Sequence, residues 1–108
     1  MRILFDQATP VPIRPYLNQH SVSTAAQMGW ATLKNGDLLS AAENAGFDVL
    51  LTTDKNMRYQ QNLANRRIAI VVLGHQQWPI LRLHVERVAE AVNAAVQGSY
   101  IEVEIPPE

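Results

Sequence analysis

The chain has 108 residues, 47% of them hydrophobic and 18% charged, with a formal net charge of −1. That length and apolar content suit one small folded domain and exclude a disordered chain. No cysteine is present, which excludes a disulfide framework, thiol chemistry and a cysteine-based zinc site.

The longest apolar run, Ile68 to Leu73, falls far short of the roughly 20 residues that span a bilayer. Near the N-terminus the carboxylate of Asp6 arrives before a signal-peptide core could form. A soluble, cytoplasmic protein that does not enter the membrane is therefore expected. The small net charge hides an uneven distribution: residues 1–54 sum to −2, residues 55–85 to +5 and residues 86–108 to −4. The basic stretch holds Lys55, Arg58, Arg66, Arg67 and Arg82. It reads either as a face able to meet phosphates or as ordinary solvated side chains.

Arg2 to Phe5 is a short β-prone run that stops at Asp6. Pro10, Pro12 and Pro15 follow and permit only a short or broken helix. His20 to Thr24 reads as a second strand, and Ala25 to Trp30 as a single helical turn. Asn35-Gly36-Asp37 opens a clearer helix, with Leu38, Leu39, Ala42 and Ala45 at helical spacing and Gly46 as the stop. Phe47 to Thr53 is a buried strand ending at Asp54. A helix over 56–64 and a further buried strand from Arg67 to Leu73 come next. Trp78-Pro79 opens the longest predicted helix, with Leu81, Val85, Val88, Val92 and Ala95 on one stripe and Gly98 closing it. Tyr100 to Ile105 alternates as a half-buried strand does. The order βαβαβαβαβ predicts an α/β fold: a mainly parallel five-stranded sheet with helices on both faces, in a single domain over 1–108.

In such a sheet, ligands bind beyond the carboxyl ends of the strands, where the strand order reverses. Asp6 and Asp54 stand at two such ends. Asp37, in the first turn of the intervening helix, joins them if the crossovers have the ordinary right hand. Three converging carboxylates repel one another and need a cation, for which Mg²⁺ or Mn²⁺ with oxygen ligands is suited. Each acid also has a plainer role: Asp37 and Asp54 as helix caps, Asp6 in a turn. Asn56, Arg58, Tyr59 and Gln61 follow Asp54 closely enough to face a substrate or, equally, water. His20, His75 and His84 lack a metal-ligand spacing and read as surface or hydrogen-bonded residues. Trp30 and Trp78 read as core or loop anchors, with base stacking the lesser alternative. There is neither a Gly-x-Ser-x-Gly elbow nor a glycine-rich phosphate loop.

Phe5-Asp6, Asn35-Gly36-Asp37-Leu38-Leu39 and Thr52-Thr53-Asp54-Lys55-Asn56 together resemble the PIN-like nucleases, in particular the short single-domain branch found as toxins of toxin–antitoxin pairs. The resemblance covers essentially the whole chain and implies a three-layer fold, an acidic cluster binding Mg²⁺ or Mn²⁺, and phosphodiester hydrolysis, usually of RNA. It carries the metal-binding and catalytic roles to Asp6, Asp37 and Asp54, with Asn35 as the alternative to Asp37 in a gapless register. Asn56 falls at a further metal-shell position, where many relatives have an aspartate, and so weakens the negative charge there. Lys55, Arg58 and Arg66 would attract the RNA backbone. A protein antitoxin and a homodimer are the remaining partners expected.

Two rivals stand beside this reading. A catalytically degenerate binding or interaction domain on the same fold would use the acids as caps. A phosphoacceptor receiver would also place acids after the first and third strands, but the Thr or Ser after its fourth strand and the Lys after its fifth are replaced here by Gly74-His75 and Pro106-Pro107.

Overall fold

A computed structural model describes residues 1–55, 57 and 66–106. The expected helix over 56–64 and the site residues Asn56, Arg58, Tyr59 and Gln61 lie outside the described residues, as does the side chain of Asn35. Five strands form one sheet: β1 (Arg2–Phe5), β2 (Ser21–Thr24), β3 (Val49–Thr52), β4 (Ala69–Leu73) and β5 (Tyr100–Val103). They lie in the order β2-β1-β3-β4-β5, and every pairing is parallel. The expected α/β class is therefore borne out, with a sheet that is wholly parallel.

The three central strands are buried along their whole length apart from Arg2, as required when helices cover both faces. Alternate side chains supply two cores. Ile3, Phe5, Val49, Leu51, Val71 and Leu73 face one side; Leu4, Leu50, Ile70 and Val72 face the other. The outer strands β2 and β5 carry the serines, Thr24 and Glu102. Polar residues on edge strands discourage pairing with another chain.

Between β1 and β2 the proline-rich stretch forms a 3-10 helix, Val11–Leu17, which buries Ile13 and Leu17 on the first face. With Pro12 near its start and Pro15 inside, too few backbone N–H groups remain for an α-helix. Helix α1 (Asn35–Asn44) crosses the second face, burying Leu38, Leu39 and Ala42. It ends in a Schellman closure: Gly46 N–H donates to Glu43 O (3.1 Å), Phe47 N–H to Ala42 O (3.0 Å), and Gly46 takes φ +86°. Residues 25–29 form turns and no helix.

The stretch from Trp78 to Gly98 is three pieces and not one helix: α2 (Trp78–Leu81), a 3-10 turn (Arg82–His84) and α3 (Val85–Ala94). His84, at φ −130° and ψ 24°, breaks the helical path. The expected stripe survives, with Leu81, Val88 and Val92 buried on the first face beside the 3-10 helix. His20 Nε2 and Asn93 Oδ1 meet at 2.7 Å, and the Tyr16 and Trp78 rings stand 6.1 Å apart across the same junction. The β2–β3 and β4–β5 crossovers step in the same direction along the sheet but pass over opposite faces, so they have opposite hands. Crossovers are right-handed in about 98% of cases, so one of these two is an exception.

Among the described residues, no helix is long and apolar enough to cross a membrane. One ion pair fastens α1 to the start of β4. Arg66 Nη1 donates to Glu43 Oε1 (2.7 Å), and Arg67 N–H donates to Glu43 Oε2 (2.7 Å). Burial pushes the Glu43 carboxyl up, but the Arg66 hydrogen bond, the amides of Arg67 and Ile68 and the Arg66 charge outweigh it and hold the group below the ordinary 4.5. A carboxyl depressed in the folded state stabilises the fold above its unfolded pKa, and the contribution disappears as pH falls through the folded value. Glu43→Gln is therefore expected to cost about 1–3 kcal/mol at neutral pH. Urea unfolding at a series of pH values should show the gap to the parent protein closing below pH 4.5. A gap that stayed constant with pH would mean that ionised Glu43 contributes nothing.

Candidate functional site

The sheet reverses its order between β1 and β3, and the carboxyl ends of those strands flank the switch point where ligands bind in open parallel sheets. Phe5 pairs with Leu51, so the next residue on each strand, Asp6 and Thr52, are neighbours. Thr52 has no exposed surface, and its hydroxyl donates to Asp6 Oδ2. The Thr52 hydroxyl oxygen in turn accepts the N–H of Asp54 at 3.0 Å. A threonine hydroxyl has one proton to give and lone pairs to receive, so this one group orients one acid and positions the backbone of the other.

The other oxygen of Asp6 is held from its own loop. Oδ1 accepts the amides of Ala8 (3.2 Å) and Thr9 (3.0 Å) and lies 2.6 Å from the Thr9 hydroxyl. That hydroxyl also reaches the Leu51 carbonyl at 2.9 Å. Asp6 thus fulfils the turn role foreseen for it. It also presents an ionisable oxygen, since Oδ2 takes only the Thr52 bond among those described.

Asp6 and Asp54 line a common cavity of about 210 Å³ with Trp30, Leu33, Lys34 and Leu38. A second cavity, about 630 Å³, opens beyond β3 and β4; Thr53, Asp54, Lys55, His75, Gln76 and Gln77 line it. Ala8 and Asp54 belong to both walls. His75 Nδ1 accepts the Gln77 amide at 3.1 Å, which leaves Nε2 as the ring nitrogen able to donate.

Asp37 is exposed in the first turn of α1, with its N–H donated to Lys34 O (2.9 Å), and lines neither cavity although Lys34 and Leu38 do. Among the described residues, no group of three His, Asp or Glu side chains is placed to hold a metal ion. Two carboxylates are nevertheless a sufficient protein contribution for Mg²⁺, which keeps several waters and binds through one or two carboxylates plus substrate phosphate. Among the described residues, Asp6 and Asp54 are the two carboxylates that line one cavity at this end of the sheet.

Lys55 lies at the rim of the larger cavity. Arg66 does not reach either cavity: its guanidinium bonds Glu43, Ser40 Oγ (3.0 Å) and the Gly36 carbonyl (3.4 Å) along α1. The site also contains Thr9, Trp30, Lys34, Thr52 and His75, none of which sequence reasoning placed there. Asp6-x-x-Thr9 and Thr52-x-Asp54 were the legible signals, since Asp and Thr close turns onto amides two and three residues away. Nothing in the sequence brings Trp30 or His75 to the same edge. Comparison with protein-family models, curated proteins and solved structures finds no match to this chain.

Thr52→Val keeps the volume but removes the hydroxyl's bonds to Asp6 Oδ2 and to the Asp54 amide. It should destabilise the fold by about 1–3 kcal/mol in urea unfolding, while Thr52→Ser recovers most of that. Equal losses in the two variants would assign the cost to packing and not to the hydroxyl.

Proposed function

We propose that the protein is a divalent-metal-dependent nuclease that hydrolyses phosphodiester bonds, with RNA as its substrate. The observation that carries this reading is the convergence of Asp6 and Asp54 on one cavity at the sheet's switch point, with Lys34 and Lys55 beside them. Asp6 and Asp54 would hold Mg²⁺ or Mn²⁺. When bound, such an ion lowers the pKa of a coordinated water and stabilises charge on the phosphate in the transition state.

The chain's own groups do the remainder. Thr52 holds Asp6 in one orientation, so the carboxylate does not have to be ordered when the ion arrives. Lys34 and Lys55 attract the phosphate backbone, which makes affinity fall with salt. His75, with Nδ1 engaged by the Gln77 amide, would hydrogen-bond a phosphate oxygen in the larger cavity through Nε2. Asp37 acts at longer range, adding negative charge near the start of α1. The toxin role, with a protein antitoxin as its partner, rests on the resemblance to the short PIN-like nucleases alone.

The second reading, an RNA-binding domain without hydrolysis, is favoured by one observation: two described carboxylates converge and Asp37 does not join them. A labelled single-stranded RNA incubated with Mn²⁺ separates the two. Cleavage is expected, abolished by EDTA and reduced at least about a hundredfold by Asp54→Asn, as befits a direct metal ligand. Cleavage that survived Asp54→Asn would refute the assignment. RNA binding that depends on salt but leaves the strand intact would establish the binding reading.

A further inference from the structure

The two cavities that meet at Asp54 differ in chemistry. The larger carries hydroxyl, amide, lysine and imidazole groups from Thr53, Gln76, Gln77, Lys55 and His75 beside Asp54, Leu73 and Ala8. The smaller is walled on one side by Trp30, Ala25, Leu33, Leu38 and Met57, and also by Asp6, Gln7, Ala8, Lys34 and Asp54. Leu38 and Met57 are nearly inaccessible, so this apolar wall is a firm part of the second core and not a loose surface. Trp30 is fixed as well: its N–H donates to Ala25 O (2.8 Å), its carbonyl accepts the Leu33 amide (3.0 Å), and its ring meets Phe47 edge-on at 6.0 Å.

Away from its acid end, the aliphatic and aromatic wall of this recess offers few hydrogen-bond partners to a second phosphate. It suits a flat group with an apolar face that is covalently tied to a phosphate. We propose that this cavity seats a single unpaired nucleobase of the strand whose phosphate lies at Asp6 and Asp54, with Trp30 as the positioning residue. The proposal rests on the nuclease reading above. Its consequence is selection of single strands, because a base inside a duplex cannot leave its stack without breaking a pair.

Adenosine 5′-monophosphate and ribose 5-phosphate share a phosphate monoester and a sugar and differ in the base, so they isolate the cavity's contribution. Titration in Mg²⁺ would be read by calorimetry and, in a Trp78→Phe background that leaves Trp30 as the sole tryptophan of two, by emission. The nucleotide is expected to bind about fivefold to a hundredfold tighter than the sugar phosphate and to change Trp30 emission saturably. Trp30→Leu should bring the nucleotide down to the sugar phosphate's affinity and leave the latter unchanged. Leu33→Gln, at a half-buried loop position, should narrow the same ratio without touching the Phe47 contact. Equal affinities for the two ligands, no binding of either, or emission unchanged at saturation would overturn the proposal. If RNA is cut while the two ligands bind equally, the base site fails and the nuclease reading stands. If the base effect appears and RNA is not cut, the base site stands and hydrolysis fails.

Discussion

The Thr52 hydroxyl is the constraint on which the candidate site depends. It sits at the last residue of β3, fully buried, and its two hydrogen bonds go to the two acids that flank the switch point. A buried hydroxyl is costly unless both its capacities are used, and here the acids use them. The dependence runs both ways. The parallel register of β1 and β3 places Asp6 beside Thr52, and the bond that results limits how far β1 and β3 could slip. One residue of slippage would send Thr52 to the wrong face and every core side chain with it. The stability of the sheet and the geometry of the site are therefore the same requirement.

The remaining architecture keeps that edge open. Strand β3 is central, and its neighbours β1 and β4 are buried on both faces, so the acid-bearing ends emerge from the stiffest part of the molecule. Contacts elsewhere fix the helices: α1 is pinned by Arg66 and Glu43, and α3 is tied by Asn93 to His20, in the turn before β2. The reversed hand of one crossover puts α3 on the face of the 3-10 helix, so both of the longer α-helices lie on different faces. After β4 the chain has to leave the sheet tightly. A Cβ on Gly74 would stand 2.8 Å from the Val103 carbonyl oxygen, closer than real Cβ contacts come, so only glycine lets β5 approach there. His75 follows at once and is carried to the rim of the larger cavity.

What the sequence makes legible is what local pattern encodes. The central strands read correctly because burial on both faces leaves unbroken Ile, Leu and Val runs, and α1 reads correctly because Leu38, Leu39 and Ala42 share a face and Gly46 stops it. Asp6 and Asp54 were legible as strand-end acids. The single helix expected from Trp78 to Gly98 was not, since its stripe of Leu81, Val88 and Val92 is the same whether or not a 3-10 turn interrupts it. Hydrophobic spacing reports the buried face and is blind to a local tightening of the backbone. The recruitment of Trp30, Lys34 and His75 depends on where three loops meet in space, which no periodicity records.

Charge shows the same limit in its sharpest form. Residues 55–85 sum to +5 in the chain, and a run of that sign suggests a continuous basic face. The fold disperses it. Arg66 is spent on Glu43 along α1, Arg67 lines a cavity with Met1, Asp48 and Val96, next to the amino ends of the strands, and Lys55 alone of the described members reaches the acid pair. Lys34, from the acidic first half, reaches the site instead. Because β3 and β4 are parallel, Lys55 follows the carboxyl end of one while Arg66 and Arg67 precede the amino end of the other, so the basic run is divided between opposite ends of the strands. The two lysines that line the acids' cavities, Lys34 and Lys55, thus come from different loops 21 positions apart in sequence.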